Sequence, residues 1–452
     1  MTPAFSSRRL ALLAALASSV LLAACGGGGG GGGSGNTNLR AINLTTDLPS
    51  IDLFTSDTRR FTALATDAVA PAVSLEANTY SLVVKRSNNA SPLFTGPYTL
   101  AKDQNYTAVI WGRESALRLS TLPEDENTDN ITDANAARVR FFNATTDTGS
   151  VDVFLTLTTA TGDLGEVLPN QSALTTGSLS GFRDVGAGNY RLRVTGAGDP
   201  NDVRLDVPSI SIPAKKYATL VITAGAGGVL VNGTLIEQRA GATTLKNNKA
   251  RVRVVASVAG AGSVGVTLGG LPVIGALRSP NLTPYGSVAS GAQELVVRVN
   301  GAVVSTGQRT LAPGADYTLL AYGTQTAPAV ALLTDDNRLP GINTRAKIRL
   351  VNGLVGTDPL TMQVDFLTQS ATSDIPAGTG SAYATVTAAG SARLEVTSPS
   401  AQNALATFPP AGSAATTNLL QAQGVYTVFV LDGLPRKANG DLDPAGRLSR
   451  DR

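Results

Sequence analysis

Histidine is absent from all 452 residues, and cysteine occurs once, at Cys25. The first absence removes the Ser-His-Asp triad, imidazole zinc ligands and histidine general bases together. The second excludes an intrachain disulfide and thiolate metal clusters, so apolar burial alone must hold the fold. Aromatic residues make up 5% of the chain and Trp111 is the sole tryptophan, which leaves few platforms for sugars to stack on. Charge of one sign is lacking as well. Without residues 1–24, which contain Arg8 and Arg9, the chain carries 34 basic against 33 acidic side chains. No stretch gathers enough Lys and Arg to displace counterions from a nucleic acid, so none is expected as a partner. These absences together predict a protein that is not an enzyme, with no cofactor.

Long hydrophobic runs are missing too. The longest, Leu10–Leu22, is 13 residues, short of the roughly 20 that cross a bilayer as a helix. It follows Arg8-Arg9 and ends at Leu22-Ala23-Ala24-Cys25, the arrangement of a cleaved signal peptide. Leu22, Ala23, Ala24 and Cys25 resemble the bacterial lipobox. That resemblance implies removal of residues 1–24 and a covalent lipid on Cys25, which would anchor the chain to a membrane. Gly26, where inner-membrane lipoproteins carry Asp, implies the outer membrane and leaves its periplasmic or surface face open. Residues 25–37 form a tether, because the unbroken run Gly26–Gly33 behaves as flexible coil.

What is present is a fourfold repeat. A strand opener recurs as Leu39-Arg-Ala-Ile-Asn43, Val139-Arg-Phe-Phe-Asn143, Val252-Arg-Val-Val-Ala256 and Ile348-Arg-Leu-Val-Asn352. A later marker begins at Tyr106, Tyr217, Tyr317 and Tyr426. Between them lie short runs rich in Val, Leu, Thr and Tyr, bounded by Gly, Pro, Asn and Asp. About 100 residues and roughly seven strands per unit predict an all-β chain of four tandem immunoglobulin-like β-sandwich modules. Their expected bounds are 38–133, 137–245, 249–343 and 346–452.

The opener with its Asn, the following Asp-Val-Phe strand, the hairpin strand Gly188-Asn-Tyr-Arg-Leu-Arg-Val194 and the late Tyr-Thr strand resemble the domain-of-unknown-function family DUF4397. The resemblance is clearest over residues 38–125 and 137–237. It is weaker in modules three and four, where Ala256 replaces the Asn, Gly265 replaces the Asp and the Gly-x-Tyr is missing. It implies tandem β-sandwich modules of bacterial envelope lipoproteins and brings no catalytic residues.

Several constellations invite a chemical reading. Gly260-Ala-Gly-Ser-Val-Gly265 matches a dinucleotide fingerprint by letter, but a strand rather than a helix follows, so the first hairpin turn of module three is expected. Asp52, Asp152 and Asp365 recur in the second strand. One per module offers no acid–base pair, and local backbone bonding is the stronger reading. The loops Glu124-Asp125-Glu126 and Asp335-Asp336-Asn337 offer the oxygen ligands calcium prefers, against an ordinary reading as solvated loops. The marker tyrosines suit a tyrosine corner, and Trp111 suits packing. The expected role is a spacer, scaffold or adhesive stalk of beads strung end to end. The alternative is a module that recognises an unidentified glycan or protein through loops at the sandwich ends.

Overall fold

The computed structural model describes residues 35–160, 163–356, 358–410, 419–434 and 443–452. Leu22, Ala23, Ala24 and Cys25, with tether residues 25–34, lie outside the described residues. Asn36 and Thr37, expected in the tether, instead begin the first strand, where pairing with the fourth strand orders them.

Module one is built from β1 (Asn36–Thr45), β2 (Ser50–Thr55), β3 (Thr58–Ala65), β4 (Val69–Glu76), β5 (Asn78–Arg86), β6 (Pro92–Leu100), β7 (Asn105–Gly112) and β8 (Arg118–Pro123). They form two four-stranded sheets in the orders β4-β1-β7-β8 and β3-β2-β5-β6. Leu39, Ala41, Leu53, Leu82, Val84 and Ile110 interlock between the sheets. The remaining modules repeat this pairing, with first strands at Ala136–Ala144, Lys249–Val258 and Arg345–Asn352. Their seventh strands are Tyr217–Ala224, Asp316–Gly323 and Val425–Leu431.

The all-β sandwich expectation is met, and the strand order refines it. An immunoglobulin constant domain places its second strand beside the first and fifth. Here β2 lies between β3 and β5, while β1 runs parallel to β7 and antiparallel to β4. Because successive side chains of a strand point to opposite faces, β1 serves two interiors. Leu39 and Ala41 enter the core of module one, whereas Ile42 and Leu44 point away from it.

That outward face explains why adjacent opener residues such as Ala41-Ile42 and Phe141-Phe142 are both apolar, although successive side chains point to opposite faces. Ile42, Leu44, Val109, Trp111 and Leu122 of module one pack against Phe142, Ala144, Val221 and Ile236 of module two. Val255 and Leu320 of module three meet Val351, Phe429 and Leu431 of module four in the same way. Modules therefore associate sheet to sheet as two pairs, and the end-to-end string of beads is not the arrangement that forms.

Contact between the pairs is of another kind. The glycine-rich turn 225–228 of module two presses on module three, with Gly227 N donating to Gly314 O (2.7 Å) and Asn337 N to Gly227 O (3.0 Å). Gly228 has φ +93°, and a Cβ there would stand 2.5 Å from Arg338 Cα, so only glycine lets these backbones approach. Among the described residues, no cluster of buried apolar side chains spans the two pairs.

Candidate functional site

The arginine of each opener sits on the outward face of the first strand, and parallel pairing places a threonine of the seventh strand beside it. The Nε donates to that hydroxyl in every module. The pairs are Arg40–Thr107 (2.8 Å), Arg140–Thr219 (2.9 Å), Arg253–Thr318 (2.8 Å) and Arg349–Thr427 (3.2 Å). All four arginines are buried, because the sheet of the neighbouring module covers them.

Each guanidinium then reaches across its seam. Arg40 donates to the carbonyls of Glu237 and Ala240, and Arg140 to that of Pro123 (3.0 Å). In the second pair the reach is reciprocal and ionic: Arg253 pairs with Asp451, and Arg349 with Asp335. Burial is the largest influence and opposes the charge on Arg349, but Asp335, Tyr383, Tyr285 and Asp451 together outweigh it and hold the guanidinium above its ordinary pKa. Tyr285 and Tyr383 lie over these cations. Burial first and the Asp335 charge next push both phenols above the usual tyrosine range. Such a cluster joins surfaces in one register, since a misplaced partner would leave a buried charge unpaired.

A second recurring set joins the end of the first strand to the start of the second. Asn43 is fully buried; its Nδ2 donates to Leu48 O (3.2 Å) and Leu64 O (3.1 Å), and its Oδ1 accepts from Thr45. Asp52 Oδ1 accepts from Ala63 N (2.8 Å). Ala63 has φ 50°, a strained conformation for alanine, at an irregularity in the β2–β3 register. The Asn and the Asp thus hold the same bulge from two sides. Module two repeats the device. Asn143 donates to Leu174 O, while Asp152 accepts from Ala173 N (2.6 Å) and Gly198 N (2.9 Å), and Ala173 has φ 45°.

Residues 37–154 and 250–355 match the family model described as a domain of unknown function, DUF4397. The chain belongs to the DUF4397 family through these two stretches. Each match runs past its own module into the first strands of the next. The second covers module three, where the sequence resemblance is weaker. The first ends at residue 154, inside module two, where it is clear. No curated protein matches the chain.

Within this DUF4397 chain, the second-strand aspartates and marker tyrosines are structural. Asp365 is a correction: it lies just beyond Thr361–Val364, in a turn with φ 50°, and accepts from Arg393 N. Thr361 takes the equivalent position in module four, accepting from Asp374 N (3.1 Å), and Asp374 has φ 55°. Module three has Ala256 and Gly265 at the two clamp positions, so both halves of the device are missing together. Tyr106, Tyr317 and Tyr426 accept from backbone N–H groups five residues upstream, as a tyrosine corner does, whereas Tyr217 bonds Arg138. Gly260 (φ +70°) and Ala261 (φ 60°) form the turn into the strand Ser263–Leu268, but it is not a hairpin, because the strands it joins lie in different sheets.

The acidic loops do not converge. Glu124 bonds Arg40, Asp125 bonds Arg239 and Asn105, and Glu126 N donates to Gln238. In the other pair Asp335 bonds Arg349, Asp336 bonds Arg338 and Lys347, and Asn337 donates to Asp316. These residues belong to the seams, and the carboxylates of Glu124, Asp125, Asp335 and Asp336 are already met by cations. Trp111 is buried between modules one and two, edge-on to Phe142 at 5.6 Å, with Nε1 donating to Ser120 (3.0 Å). Beside the first seam lies an open groove of about 460 Å³ lined by Arg40, Pro71 and Glu124.

Sequence reasoning registered the four opener arginines as markers and missed what they do. A cation held at one strand position in every repeat, amid apolar residues, was the available signal, because an unpaired charge is not buried.

Proposed function

We propose that this chain is a non-enzymatic outer-membrane lipoprotein, held by a lipid on Cys25, whose DUF4397 modules form a rigid scaffold. The observation that carries the scaffold reading is where the recurring side chains go. The arginines close the module seams, the Asn–Asp pairs hold bulges, and the tyrosines tie loops to strands. The residues each module repeats are occupied with shape. A stiff body on a glycine tether suits spacing or contact at the cell envelope, with a protein or glycan as the partner.

Metabolic labelling with palmitate tests the anchor. The chain is expected to incorporate label and to fractionate with outer membranes, and Cys25→Ser is expected to lose both properties. Unlabelled wild-type chain in the soluble fraction would overturn the lipoprotein reading. A second reading, ligand recognition, draws support from the groove beside Arg40.

A further inference from the structure

Three of the four modules lay an aromatic ring of their own on the seam arginine, and the strand register fixes the position. Val139 faces Arg183, Val252 faces Gly286 and Ile348 faces Ala384, so the preceding residues Phe182, Tyr285 and Tyr383 are equivalent. Their ring centroids stand 4.6, 4.6 and 4.9 Å from the guanidinium carbons of Arg140, Arg253 and Arg349. In module one Leu39 faces Val73, which puts Ala72 at that place. Ala72 is exposed. Where the sibling modules have a ring, module one has the groove of about 460 Å³, lined by Arg40, Ala70, Pro71, Ala72, Tyr106 and Glu124.

Module three also shows what such a ring would bond. Tyr285 Oη donates to Asp335 Oδ2 at 2.6 Å. Asp335 faces Asp316, the residue before the marker Tyr317. In module one Tyr106 faces Pro123, so Glu124 stands where Asp335 stands. Glu124 bonds Arg40 through Oε1 and accepts from Arg239 N through Oε2 (3.2 Å). A carboxylate has about four lone-pair sites, which leaves capacity for a further donor.

We propose that this groove is a binding site for a phenolic ring supplied from outside the chain, its face on Arg40 and its hydroxyl donating to Glu124. A cation over a ring face is attractive, and the charge-assisted hydroxyl bond selects phenols over plain arenes. The site is independent of the scaffold reading, since it needs only the first seam.

Saturation-transfer NMR on the lipidated chain in nanodiscs, titrated with p-cresol against empty nanodiscs, tests it. Saturable binding is expected with a dissociation constant on the order of 1 mM, as suits so small a ligand. Toluene, lacking the hydroxyl, is expected to bind at least fivefold more weakly. Ala72→Tyr puts the chain's own ring in the groove and is expected to weaken p-cresol at least tenfold. Ala72→Leu, a smaller filling, serves if the tyrosine variant does not fold. N-acetyltyrosine amide separates the sources: binding equal to that of p-cresol identifies a tyrosyl side chain of a protein, and exclusion of the amide identifies a free phenol. No saturable p-cresol binding, equal binding of toluene, or binding unchanged in the folded variants would overturn the proposal.

Discussion

Arg349 shows how much one side chain can decide. It is 2% exposed and pairs with Asp335, which is equally buried. Arg349→Ala takes the bonded cation from that buried carboxylate and leaves it the Tyr285 and Thr318 hydroxyls and Arg253 at 3.9 Å, so the expected cost is about 3 kcal/mol. The double change Arg349→Met with Asp335→Leu is expected to cost less than the single one, because it removes both charges. Urea unfolding midpoints check the ordering. At the bulge, Asp152→Ala leaves the Ala173 and Gly198 amides without their acceptor. A loss of about 2 kcal/mol is expected by the same measurement, with Asp152→Asn milder because it keeps one acceptor. The aspartate's local role was legible in the sequence from its turn-adjacent place. The role of Arg349 was not, because its partner lies in a different module and no spacing rule connects them.

At the scale of the element, the first strand carries the information that links sequence to assembly. Its alternate residues fill two interiors, and neighbouring apolar residues such as Phe141-Phe142 reveal that both faces are buried without revealing what covers the second. Strand count, turns and the fourfold repeat were readable from local patterning. Which strands share a sheet was not, since the parallel pairing of β1 with β7 joins segments 67 residues apart, such as Arg40 and Thr107. The tyrosines just ahead of the strand segments Gly286–Ala289 and Ala384–Thr387 add a pH dependence. Tyr285 and Tyr383 ionise only above the usual tyrosine range when folded, whereas the unfolded chain ionises them near pH 10. Their contribution is complete below about pH 10 and is lost as pH rises further. Module two has Phe182 at this position, so the loss is expected in the seam of modules three and four. Tyrosinate absorbance should show late-titrating phenols, fewer in Tyr285→Phe. Seam phenols that titrate with the exposed ones would contradict this.

For the whole molecule, the account turns on pairing. Modules one and two, and modules three and four, share buried apolar seams, while the pairs meet through backbone contacts and the Arg452 side chain, which donates to Asp147 O (3.1 Å) and to Gly228 and Thr148 carbonyls. Small-angle X-ray scattering of a soluble chain beginning at Asn36 measures this most directly. A fully compact chain of that length has a radius of gyration near 22 Å by size scaling, and two joined pairs are expected below about 32 Å. Four beads of about 35–40 Å strung end to end would approach 43 Å, and that value would contradict the paired architecture.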